Sequence, residues 1–273
     1  MTRFSECFLL VFAQLAVGGV AALCVPPFAL LERGFYKSSA GVFLGCALLF
    51  VGGRVALSWR TGTLTPGDAV QLALWATFAA ALTVYLVTLW GDDGRRRARA
   101  YPAALAIGLA ALVATASSYR IGPVLGAATL LYPLAFLTGA LALGGVATGM
   151  LLGHWYLIDV GLSIEPLQRL FRYFVVVVLA HLAVMTTTVV TLALGAGPGA
   201  AAVAQLWHDH AGLLATRLVL GPGAALGIAY LIHRTLAIPQ TMAATGLFYV
   251  AILAMMVGEM LGRLLLFRTS LPL

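Results

Sequence analysis

The chain has 273 residues, of which 62% are hydrophobic and only 9% are charged, with a mean hydropathy of +1.02. That composition excludes a soluble globular domain and indicates an all-α, polytopic membrane protein, one integral membrane domain over residues 1–273. The formal net charge of +7 resides in arginines of short loops, where it orients spans and builds no basic face for nucleic acid.

At roughly 20 apolar residues per crossing, the chain has room for about eight transmembrane helices, and its apolar runs are too long for barrel strands. The first span is predicted over about Phe8 to Leu31, with Gln14 one turn before Gly18. It is longer than a signal-peptide core and lacks an A-x-A cleavage site. The second runs from about Ala40 to Trp59 and holds Arg54 after Gly52-Gly53. A polar turn, Arg60 to Asp68 with Pro66, leads to the third, about Ala69 to Trp90. The run Gly91-Asp92-Asp93-Gly94-Arg95-Arg96-Arg97-Ala98-Arg99 is the only strongly charged stretch, and a fourth span follows from about Tyr101 to Ser118. Tyr119-Arg120 and a tight Ile121-Gly122-Pro123 connection lead to the fifth, about Ala127 to Leu152, whose Gly145, Gly149 and Gly153 form a small-residue ridge.

His154-Trp155-Tyr156 reads as interfacial, and Asp159 to Arg172 as a loop with a short amphipathic turn. The sixth span, about Tyr173 to Leu194, carries His181 and Thr186-Thr187-Thr188, and a loop then ends in Trp207-His208-Asp209-His210. The seventh, about Leu213 to Ile232, has Arg217 near its start and Pro222 as a kink or cavity-lining break. His233-Arg234 and Pro239 precede the eighth, about Met242 to Phe267. Cys7, Cys24 and Cys46 lack CxxC spacing; they read as small buried apolar side chains, and no metal site is predicted.

Nine arginines and lysines fall on one side of these spans (Arg33, Lys37, Arg95, Arg96, Arg97, Arg99, Arg169, Arg172, Arg234) and four on the other (Arg3, Arg60, Arg120, Arg268). The richer side is predicted to be cytoplasmic, which places both termini outside.

Within the last span, Gly258-Glu259-Met260-Leu261-Gly262-Arg263 sets a carboxylate and a guanidinium four residues apart on one helical face, flanked by glycines at the same spacing. An ionisable side chain in a span costs roughly 2.5–3.5 kcal/mol on insertion scales, so the pair is a functional candidate by default. In the predicted orientation Arg54, Arg217, Glu259 and Arg263 all fall toward the outer end, below His208, Asp209 and His210. Tyr119, Arg120 and the threonines of the sixth span lie at the same level. Plainer readings exist residue by residue: a self-neutralising pair at Glu259 and Arg263, snorkelling at Arg54 and Arg217, loop histidines at His208 and His210, an interhelical donor at His181. Convergence at one depth is what favours a site.

A quinone headgroup presents two oxygens that need hydrogen-bond partners inside lipid, and its redox chemistry moves protons. Glu259, His208 and His210 are the candidate proton-handling, catalytic residues, and Arg54, Arg217, Arg263 and Gln14 the candidate quinone-binding donors. No cofactor motif accompanies them. No tightly bound prosthetic group is therefore predicted, and the electrons require a peripheral redox subunit on the outer face.

The motif Gly258-Glu259-Met260-Leu261-Gly262-Arg263 with Leu264 to Phe267 resembles the closing G-E-x-x-G-R and apolar-aromatic run of the membrane anchor subunits of dimethyl sulfoxide reductases, within the polysulfide- and nitrite-reductase membrane-subunit group. Leu213 to Leu220 is similar to the start of that family's penultimate span, Phe8 to Leu31 to its first helix, and Phe136-Leu137-Thr138-Gly139 to its fifth. The resemblance implies eight helices with both termini outside, in a bacterial inner membrane. It also implies menaquinol or ubiquinol exchange with an iron-sulfur subunit that serves a molybdenum (molybdopterin) catalytic subunit. The family's histidine-containing segment after the second span has no counterpart, since Val51 to Thr65 carries Arg54 and Arg60 but no histidine. His208 or His210 would then substitute.

Two other functions stand beside this one. A secondary transporter would use Arg54, Arg217 and Glu259 near the midplane, with unwound helices. A b-type cytochrome would need level axial ligands, whereas His154 lies at the cytoplasmic end and His181 deeper in its span.

Overall fold

Lipid offers no partner to a free backbone N–H or C=O, so an apolar chain of this kind must close its hydrogen bonds within each segment. The computed structural model, which describes residues 2–62, 65–122, 126–159, 161–195, 197–238 and 240–273, does so with helices alone among the described residues. They are α1 (Thr2–Ala22), α2 (Arg33–Thr61), α3 (Pro66–Thr88), α4 (Gly94–Ser118), α5 (Ala128–Trp155) and α6 (Glu165–Leu194). A short α7 (Pro198–Asp209), α8 (Ala211–Leu218), a π-helical turn (Val219–Gly223), α9 (Ala224–Leu236) and α10 (Thr241–Thr269) follow. Among the described residues eight spans are long and apolar enough to cross a membrane, α8 through α9 counting as one. An even number of crossings puts the start of α1 and the end of α10 at the same end of the bundle, called here the terminal end. The opposite end carries the arginine run.

Several boundaries differ from the sequence reading. The first helix stops at Ala22, well short of Leu31, because Pro26 and Pro27 lack the N–H a helix needs; the apolar residues between Leu23 and Leu31 form a loop. The second begins at Arg33, not Ala40. Residues 165–172 belong to α6 and are not a loop: Pro166 fits the first helical turn, and Arg169 donates to Glu165 one turn earlier. The stretch before His210 is also helical. In α7, Pro198 opens the helix and Ala202, Val203 and Leu206 are buried, while Trp207, His208 and Asp209 are exposed. Pro123 and Pro239 lie outside the described residues.

Helix starts on the lipid boundary have local causes. Asp93 accepts from the backbone N–H groups of Arg95 and Arg96, both at 3.0 Å, and Thr65 with Asp68 forms a capping box at the start of α3. Trp59 and Trp207 are exposed at the terminal end and Trp90 at the other, as interfacial tryptophans should be.

The helices α1 and α5 form the centre and are the most buried of the spans. They pack backbone to backbone: a Cβ on Gly144 would fall 1.9 Å from the carbonyl carbon of Gly18. The next layer is α10 and α6 against α5, and α3 with α4 forms a flank in which Trp75 donates to Thr115 at 2.9 Å. Beyond α10 the chain turns back, burying Leu271 and Leu273 at the terminal end, while the Tyr132 hydroxyl donates to the Ser270 carbonyl.

Candidate functional site

The carboxylate of Glu259 is the hub of a buried polar network. Its Oε1 lies 2.5 Å from Arg217 Nη2 and 3.0 Å from His181 Nε2, and its Oε2 lies 3.0 Å from both Arg263 Nη2 and Gln14 Nε2. All five side chains are wholly removed from the surface. They come from α1, α6, α8 and α10, and α5 adds Thr138 and the face of Phe136, over whose ring the Arg263 guanidinium stands at 4.0 Å.

Small residues make the network possible. A Cβ on Gly258 would lie 2.4 Å from Gly221 Cα and 2.9 Å from Arg217 Nη1, and one on Gly262 would lie 2.8 Å from Arg217 Nε. The two motif glycines therefore do more than admit a neighbouring helix: they clear the space in which Arg217 lies flat along α10. Gly139 does the same for Glu259 and Gln14, since its Cβ would meet them at 2.8 and 2.7 Å. Arg217 sits immediately before the π-helical turn, where Pro222 cannot donate and its ring displaces the preceding carbonyls. The break brings Gly221 against Gly258 and aims the arginine inward.

The histidine's hydrogen bonds place its proton. The Thr138 hydroxyl donates to the Leu134 carbonyl at 2.8 Å, so its oxygen accepts from His181 Nδ1 at 2.9 Å. In the neutral ring Nε2 is then an acceptor, and Arg217 Nη2 donates to it at 2.8 Å. Nε2 and Glu259 Oε1 are thus two acceptors 3.0 Å apart in a dry interior, a hydrogen-bond length with room for one added proton. Both ring nitrogens of His181 are occupied, and His154 at the opposite end of the bundle contacts Tyr249 at 3.3 Å.

Charge and hydrogen bonding do not close within the network. Two guanidiniums face one carboxylate, and Nε and Nη1 of both Arg217 and Arg263, with Gln14 Oε1, have no hydrogen-bond partner among the described residues. Beside the network, a cleft of about 270 Å³ opens between α6, α7 and α8, lined by Met185, Val189, Trp207, Leu214 and Leu218. Met185 belongs to both, its sulfur lying 3.7 Å from Arg217 Nη2. Glu259 is ten residues before the end of α10 at Thr269, roughly 15 Å from the terminal end at 1.5 Å per residue. The network therefore lies in that half of the bundle but deeper than its rim.

The structure brings together Gln14, Arg217, Glu259 and Arg263 from the residues singled out in the sequence, and leaves three elsewhere. Arg54 was expected in the cluster; it instead pairs with Asp68 at 2.8 Å across the α2–α3 turn, because the capping box holds that carboxylate facing back along α2. A narrow crevice lined by Glu6, Phe50, Gln71 and Tyr119 adjoins it. His208 is exposed at the surface of α7 and hydrogen-bonds Asp209 at 2.6 Å, and that carboxylate holds its imidazole above the ordinary histidine range. His210 stands at the α7–α8 junction, and among the described residues no hydrogen bond joins either histidine to Glu259. Of the sixth-helix threonines, Thr186 and Thr188 donate to their own helix at Leu182 and Val184, and Thr186 lines the cleft. Cys24, read as buried, is exposed. Sequence reasoning left His181 as a lone interhelical donor and missed Thr138 and Phe136. The signal that existed was the depth of His181 in its span.

No protein-family model matches the chain, and no curated protein does either.

Proposed function

We propose that this chain is the quinone-reactive membrane subunit of a respiratory oxidoreductase, a relative of the dimethyl sulfoxide reductase anchors. The observation that carries the reading is the His181–Glu259 pair, which holds a vacant proton position beside unsatisfied arginine donors, next to a lipid-facing apolar cleft. A menaquinol or ubiquinol ring in the cleft would lie against Met185, Leu214 and Leu218. Arg217 reaches that wall and supplies a donor to a quinone oxygen; of the two protons that quinol oxidation releases with its two electrons, His181 with Glu259 takes one and the other leaves through the mouth of the cleft to water. The bacterial inner membrane is the setting this implies, with the terminal end outside. Electrons would pass to an iron-sulfur subunit and a molybdenum catalytic subunit docked there, where Trp207, His208 and Asp209 are exposed.

The test uses membranes containing the whole complex. Leu214→Trp fills the cleft without touching a charge and is expected to raise the quinol KM at least about ten-fold, the loss of a ring's worth of apolar contact. His181→Gln keeps a hydrogen-bonding side chain but removes the proton position. It is expected to lower kcat about 100-fold or more while KM stays within a factor of about two. Quinol turnover indifferent to both substitutions would remove the reading.

One observation favours a second function. The helix break at Val219–Gly223 lies beside a buried charge network, the arrangement by which transporters line a substrate site. Uptake of a small anion into proteoliposomes of the chain alone, lost in His181→Gln, would select that alternative.

A further inference from the structure

The arginine-rich end holds a second concavity, of about 480 Å³, that the redox reading leaves unused. Its walls are the loop after α1, the first turn of α2, the end of α3 and the start of α4, with Phe28, Tyr36, Tyr85, Arg97 and Tyr101 facing it. The tyrosine hydroxyls are largely spent on the backbone, Tyr36 donating to Pro26 at 3.0 Å and Tyr101 to Val20 at 2.8 Å, so their rings form an apolar wall. Arg97 is fixed at the mouth: Nη2 donates to the Gly91 carbonyl at 3.0 Å, the guanidinium stands 5.0 Å over the Phe28 ring, and Nε is buried without a partner.

The nearby acids are already committed. Asp92 pairs with Arg33 at 2.7 Å, which holds its carboxyl below the usual range, and Asp93 caps α4 and pairs with Arg96 at 3.0 Å. Among the described residues no carboxylate pairs with Arg95, Arg97 or Arg99. Uncompensated positive charge thus borders an apolar concavity at the depth of Trp90, over which Lys37 Nζ stands at 4.8 Å.

We infer that this cleft seats an anionic phospholipid, its phosphate on Arg97 and its glycerol and upper acyl chain against Phe28, Tyr36, Tyr85 and Tyr101. An arginine fork matches a phosphate, and the aromatic wall needs an apolar partner that a free anion does not bring. A zwitterionic lipid would carry its own cation into the arginines. The site lies at the opposite end of the bundle from the Glu259 network and is independent of it.

Cys24 reports on occupancy, because it lies on the cleft wall and is exposed while Cys7 and Cys46 are buried. The full chain in detergent is titrated with phosphatidylglycerol, phosphatidylcholine or inorganic phosphate, and the rate of Cys24 labelling by a neutral maleimide is followed. Phosphatidylglycerol is expected to protect Cys24 saturably, and the other two to leave it unprotected. Arg97→Gln raises the half-protecting lipid concentration roughly five-fold, the scale of one arginine at a lipid surface. Arg169→Gln, at the same end but paired with Glu165, leaves it unchanged. Absent protection, equal protection by phosphatidylcholine, protection by phosphate alone, or full protection retained in Arg97→Gln overturns the assignment. The comparison of the three additives on the unaltered chain decides even where a variant fails to fold.

Discussion

Glu259 accepts from three side chains, Gln14, Arg217 and Arg263, and faces the His181 ring, so its loss and the loss of a donor are not equivalent. Without the carboxylate, two guanidiniums remain buried with nothing to neutralise them, and stripping one partner from a buried pair costs about 3–5 kcal/mol. Without Arg263, the remaining Glu259 and Arg217 are charge-matched, and a methionine in its place still covers Phe136. Glu259→Gln is therefore expected to lower thermal stability in detergent far more than Arg263→Met; equal shifts would show that net charge does not govern the network. For the same reason an apolar substitution at Glu259 or Arg217 tests folding more than function, and His181 is the better probe of chemistry. Spacing along one helix made Glu259 and Arg263 legible as a pair. Gln14 and Arg217 were legible as members of the cluster but not as direct partners of the carboxylate, and His181 was left out of it, because all three reach Glu259 only through packing of α1, α8 and α6 around α10. Arg54 was misplaced for a related reason: its partner was already written in the T-x-x-D cap of the next helix, a short-range claim that outcompetes a distant cluster.

At the scale of elements, the glycines divide by what stands opposite them. Gly144 meets the Gly18 backbone, which cannot rotate away, whereas Gly41 in α2 has open space around its Cβ position. Gly144→Ala should force α1 and α5 apart and destabilise by about 1–3 kcal/mol or more. Gly41→Ala should be neutral or stabilising by about 0.5–1 kcal/mol, since it only removes backbone freedom within a helix. Unfolding in a graded detergent titration measures both, and a neutral Gly144→Ala would mean the crossing is looser than its geometry. Eight spans were readable from hydropathy because each must close its own hydrogen bonds in lipid. Their ends were less readable, since apolarity continues through the loop after α1, where prolines and not polarity stop the helix. The helix α7 was missed because its glycine-rich opening resembles a turn and its apolar face is only three residues wide, Ala202, Val203 and Leu206.

For the whole molecule, orientation rests on nine arginines and lysines at one end against four at the other, and four of the nine lie between Arg95 and Arg99. That run is the first large positive block to emerge during insertion, and it directly precedes a span, which is where charge bias acts most strongly. Replacing Arg95, Arg96, Arg97 and Arg99 with glutamine leaves five against four, so the bias that sets orientation nearly vanishes. A periplasm-active reporter fused after residue 273 should be active on the unaltered chain and the cytoplasm-active reporter silent. In the four-glutamine variant both should give signal, as a mixed population inserts in two senses. If the variant keeps a single orientation, the arginine run is not the topological determinant.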